Sequence, residues 1–146
     1  MAITYVKYFY ELLQAIQALL RTEFPDVAVL IGDRDEIKNK PTIILEPYSK
    51  DTSVEVSYGK KDMEFLVNIL VYSFTSQDEQ AVVSISDLCE QIEQLLLNNL
   101  SSPSLTDGTS WHTSKPMGTE YGKLLKAGEL LRSAVIKWAF KKRAVR

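Results

Sequence analysis

The sequence predicts an α+β protein, with a mainly antiparallel β-sheet and two long amphipathic helices packed on one face, in a single domain covering residues 1–146. Three observations predict it. Apolar residues recur at three- and four-residue steps over 4–23 and again over 76–100, the period of a helix with one buried face. Apolar and polar residues alternate over 54–58 and 130–142, the period of a strand. The 146 residues, 45% apolar and 25% charged, have the length and balance of one domain with one core.

The first helix is expected over 4–23, with Phe9, Leu12, Leu13, Ile16, Leu19 and Leu20 forming its stripe and Thr4 as N-cap. Pro25 ends it, because the residue before a proline is pushed out of the helical region. Val27 to Ile31 is rich in β-branched residues and predicts a short strand. Asp33 to Lys40 is a charged loop, and Pro41 opens a strand from Thr42 to Pro47. Val54, Val56 and Tyr58 alternate with Glu55 and Ser57 as in a half-solvated strand, and Gly59 to Asp62 supplies a turn. Met63 to Phe74 is the strongest strand. Its two faces are both apolar, so it is expected to be central or covered by another subunit.

Ser76-Gln77-Asp78-Glu79 reads as a capping box that opens a helix to about Leu100. Val82, Ile85, Leu88, Ile92, Leu95 and Leu96 are its expected inner residues. Ser101 to Gly122 is polar and broken by Pro103, Gly108, Pro116 and Gly118, and is expected to be a long loop. This loop, Asp33–Lys40 and Ser49–Lys61 are expected to be ordered only by neighbouring subunits or partners. The last strand is expected from Leu130 to Lys142, with Ala134, Ile136, Trp138 and Phe140 on one face and Ser133, Lys137 and Lys141 on the other.

Chemistry is sparse. The net charge of −2 brings no global attraction to nucleic acid. The single cysteine, Cys89, leaves no internal disulfide and no cysteine-rich zinc site. It sits beside Ile85 and Ile92 in the helical lattice, where a cysteine behaves as a small hydrophobe. Asp33, Asp35 and Glu36 form the one acidic cluster, but Glu46, followed by Pro47 and Tyr48, and Glu55, followed by Val56 and Ser57, do not begin the strand-borne Glu-x-Lys of a restriction-type nuclease. His112 has no nucleophile elbow to serve. No phosphate-binding loop or dinucleotide fingerprint occurs. No enzyme, metal or cofactor is therefore predicted.

There is no basic n-region before a continuous apolar stretch at the start, and no apolar run approaches the roughly 20 residues that span a bilayer. The expectation is a soluble chain that stays where it is made. Lys137, Lys141, Lys142, Arg143 and Arg146 cluster on and after the last strand, and Lys60 and Lys61 sit at the expected turn tip. These charges form either a solvated surface or a positive patch for phosphates or an acidic partner. A ring would multiply them.

Four stretches together resemble the tail terminator, or neck, proteins of long-tailed bacteriophages. They are the N-terminal helix ending at Phe24-Pro25, the proline-led strand from Lys40 to Pro47, the strand from Met63 to Tyr72 running into the capped helix at Ser76, and the closing strand from Leu131 to Trp138. The resemblance rests on texture and order of elements across nearly the whole chain.

It implies a structural virion protein, assembled in the host cytoplasm. The family forms a hexameric ring that terminates the tail tube, meets the head-tail connector or head completion protein, and lets DNA pass through its lumen. It has no enzymatic activity, no cofactor and no membrane contact. Lys60, Lys61, Lys137 and Lys141 are the expected DNA-facing lumen residues. Two rival readings are another neck, head-completion or tube protein, and a non-viral α+β adaptor domain.

Overall fold

A computed structural model describes residues 8–32, 41–57, 60–73, 78–98, 113–126 and 129–145. Its elements run α1 (Tyr8–Glu23), β1 (Ala28–Ile31), β2 (Thr42–Ser57), β3 (Lys60–Ser73), α2 (Asp78–Asn98), β4 (Thr113–Lys126) and β5 (Glu129–Val145). The strands form one sheet in the order β1-β2-β3-β5-β4. The β1–β2 pair is parallel and every other pair is antiparallel. This is the α+β layout with a mainly antiparallel sheet that the periodicities predict. Strand β3 is central, which accounts for its being apolar on both faces.

One parity of β3 carries the core. Phe65, Val67, Ile69 and Val71 are fully buried and cluster with Ala134, Ile136, Trp138 and Phe140 of β5. Leu12, Leu13, Ile16 and Leu20 of α1 enter the same cluster, as do Ile85, Cys89, Ile92 and Leu96 of α2. Phe9 meets Phe65 edge-on, with ring centroids 5.0 Å apart. The opposite parity of β3 is half-buried at Glu64, Leu66, Asn68 and Leu70 and buried at Tyr72.

Helix α1 ends as expected. The Phe24 amide donates to the Leu20 carbonyl, and Pro25 follows. Gln17 and Arg21 of its last turns both donate to the Val29 carbonyl, at 3.0 and 2.9 Å, and so tie the helix to edge strand β1. After β1 the chain turns at Gly32, whose φ of +85° suits a residue without Cβ.

Several expectations are corrected. Val82 is exposed, and Ala81 takes its place on the inner face of α2. Ser49–Lys61 is not a loop where it is described: β2 continues without a break to Ser57, and Lys60 already lies in β3. The alternation that would reveal this is interrupted by register shifts at Pro47/Ser49, Thr52/Glu55 and Glu55/Ser57. Each irregularity resets which face a residue takes, so the period of two is lost in the sequence.

The second half of the expected loop Ser101–Gly122 is strand β4, paired along β5 from Thr113 to Lys126. Pro116 and Gly118 flank a register shift there. An edge strand is where a proline and a bulge are tolerated, and Gly118 adopts φ +120°. The N-cap candidates Thr4 and Ser76 and the loop Asp33–Lys40 lie outside the described residues.

Candidate interaction surface

Strand β5 places Lys137 and Lys141 on the sheet face opposite the core cluster, opposite Asn68 and Glu64 of β3. Neither is a free charge. The Lys137 ammonium lies 3.8 Å from Glu120 of β4 and 5.7 Å from the centroid of the Tyr48 ring. The Lys141 ammonium lies 4.0 Å from Glu64. Both pairs are solvent-accessible, so each contributes only about 0–1 kcal/mol to stability. Their larger effect is on the field: a carboxylate beside each lysine weakens the potential it projects.

Lys60 and Lys61 are in the β3 ladder, their backbones in register with Val145 and Ala144, and not at a turn tip as the sequence suggests. They stand beyond Glu64 along β3, past its pairing with Lys141. The structure thus brings Lys137 and Lys141 together on one face and leaves the other two lysines further along the ladder. Sequence reasoning missed Glu64, Glu120 and Tyr48 as partners of these lysines. The signal that finds them is strand register, which no local pattern contains.

A second polar cluster lies on the other face, where α2 crosses β4. Thr119 donates to the Glu93 carboxylate at 2.5 Å. The Tyr121 hydroxyl donates to Cys89 Sγ. Burial, reinforced by the neighbouring Glu93 and Glu90 carboxylates, pushes the Cys89 thiol up to about 12. Burial, with Cys89, Glu93 and Glu90 nearby, also raises Tyr121. A thiol this reluctant to ionise is not a nucleophile at neutral pH. The cluster is a tether between edge strand and helix.

Beside it, Val82, Ile85, Tyr121 and Arg132 line an open recess of about 230 Å³. It is smaller than a typical ligand pocket of about 300–1,000 Å³. Among the described residues no group of three or more metal-competent side chains occurs. Among them, too, no helix is long and apolar enough to cross a membrane. His112 and the acids Asp33, Asp35 and Glu36 lie outside the described residues.

A scan against protein-family models finds no match, and no curated protein matches in sequence. The fold itself has solved neighbours. One is the sheath/tube terminator of an extracellular contractile injection system, PVC, in its extended state. The chain shares its fold with that terminator. The TM-score is 0.55 at 12% identity, over 98% of this chain. The chain spans 58% of the terminator's own length.

Proposed function

We propose that this chain is a structural subunit that terminates a phage-tail-like tube. The observation that carries the proposal is the match of nearly the whole chain, 98%, to a sheath/tube terminator. The resemblance read from the sequence points the same way independently. The role is mechanical: a terminator must present one surface to the last tube ring and another to whatever follows, and it needs no catalytic constellation.

In its finer form the proposal is a hexameric ring built from residues 1–146 as one domain. The ring caps the tube, meets the head or connector on its far side, resides in the virion after assembly in the host cytoplasm, and passes DNA through its lumen. Both helices lie on one face of the sheet in this reading. Support comes from the shared core cluster of α1, α2 and a single parity of β3. Part of the other sheet face is then left for neighbours, at half-buried Leu66 and Leu70, while Ile44 and Tyr72 at one end of it are buried within the chain.

Lys60, Lys61, Lys137 and Lys141 remain the proposed source of lumen charge. Ion pairing makes Lys137 and Lys141 weak attractors, which suits a channel through which a polyanion must slide without being gripped. The test is a polymerisation assay with the tube protein of the same particle. Added chain is expected to stop growth and fix the length distribution. Tubes that lengthen equally with and without it would refute the terminator role. An assembled ring whose lumen is lined mainly by carboxylates would refute the charge assignment alone.

A further inference from the structure

We propose that the outer stripe of α2 docks on the β4 edge of a second copy of this chain, joining subunits head to tail. The inference rests on the self-assembly part of the reading above and names the surfaces that carry it.

Helix α2 and strand β4 carry opposite charge. Helix α2 contains Asp78, Glu79, Asp87, Glu90 and Glu93 and no lysine or arginine. Of these, Glu79, Asp87 and Glu90 are exposed and fall on one stripe at helical spacing. The same stripe carries Val83 and Leu97, which are 56% and 46% exposed. Apolar side chains this accessible on a helix that already buries Ala81, Ile85, Cys89, Ile92 and Leu96 give α2 a second apolar register.

Strand β4 is the complement. It ends the sheet, so among the described residues one edge of its backbone has no partner strand. Exposed Lys115 and Lys123 flank this edge from its two sides, Lys115 on the face of Lys137 and Lys123 on the α2 face beside Tyr121, and Met117 and Tyr121 between them are 48% and 55% exposed. Glu120, the one acid of this strand, is held by Lys137, so the edge presents net positive charge. The lengths also agree. Glu79 to Leu97 spans about 27 Å at the helical rise. Lys115 to Lys123 spans about 26 Å at the strand rise.

An acidic stripe with apolar residues thus meets a strand edge flanked by lysines and apolar residues, both on every copy. The two surfaces differ, so the contact is heterologous: each docking leaves one stripe and one edge free for the next copy. The stripe points away from the sheet while the edge lies at its side, so each contact turns the next subunit relative to the last. Repetition of such a step generates a ring or a helix. The tether from Thr119 and Tyr121 to α2 holds the edge in a fixed relation to the stripe, which keeps that step constant.

The test is photo-crosslinking of the full chain with p-benzoylphenylalanine replacing Val83, mixed with an isotope-labelled unmodified copy and read by mass spectrometry. The expected links join position 83 to residues 113–126 of the labelled copy. Lys115→Glu with Lys123→Glu in the labelled copy is expected to lower their yield about tenfold, the effect of about 1.4 kcal/mol. Adding Asp87→Lys and Glu90→Lys to the cross-linker copy is expected to restore it. The same probe replacing Leu97 guards against a misfolded variant, with circular dichroism as the check on folding. Links to another surface of the second copy, links only to a different protein, or no intermolecular link at either position would each overturn the docking assignment. Links to another surface would leave the ring proposal standing, whereas the tube polymerisation assay decides that proposal separately.

Discussion

At the residue scale, Cys89 is the most informative single position. Its thiol is buried, accepts from Tyr121 and is pushed up from 9.0 to about 12. The folded chain therefore holds this proton more tightly than the unfolded one. The corresponding stability is fully present below about pH 9 and is lost as pH rises toward 12. Denaturant melts from neutral pH upward are expected to show a shallower alkaline loss for Cys89→Ala than for the parent chain. Equal slopes would contradict the burial argument. Phe65 is the second such position. It is fully buried and carries the edge-on contact with Phe9, so Phe65→Ala is expected to cost about 3–5 kcal/mol. A loss below about 1 kcal/mol in denaturant melts would mean that the site collapses around the gap. The inward positions of β5 and α1 were legible in the sequence because burial repeats at a fixed period. Glu64 and Glu120 were not, because an ion pair across strands depends on register and not on spacing along one strand.

At the scale of elements, the legible ones keep their period. Strands β3 and β5 alternate cleanly over most of their length, and α1 and α2 hold three- and four-residue steps. Strand β4 and the outer part of β2 were hidden for a common reason: proline, glycine and register shifts interrupt the alternation at Pro47, Pro116 and Gly118. Polar composition then resembles a loop although the backbone is paired. Gly118 offers a direct test of this account. A Cβ there would meet nothing within 4 Å, so the cost of a side chain is conformational and comes from φ +120°. Gly118→Ala is expected to destabilise the chain by about 1–3 kcal/mol through backbone strain. Gly122, in the same strand without a positive φ, is the control: its Cβ would touch only Ser133 Oγ at 4.0 Å. Equal melts for Gly118→Ala and Gly122→Ala would argue that the bulge is not a built feature of β4.

At the scale of the whole molecule, one sheet with one core presents three distinct surfaces: the outer stripe of α2, the edge of β4, and the sheet face bearing Lys137 and Lys141. A monomeric adaptor needs one such surface, whereas a ring subunit that also docks on a tube and a further component needs several. That count of surfaces is what the proposed assembly role requires. The proposed terminator role is a matter of location: the chain should close the end of a tube. Cryo-electron microscopy of tubes assembled with the chain tests it most directly. The account predicts a six-fold ring of this chain at one end of each tube, in contact with the terminal tube subunits and with duplex-wide space at its centre. Density for the chain distributed along the tube, or absent from both ends, would contradict it.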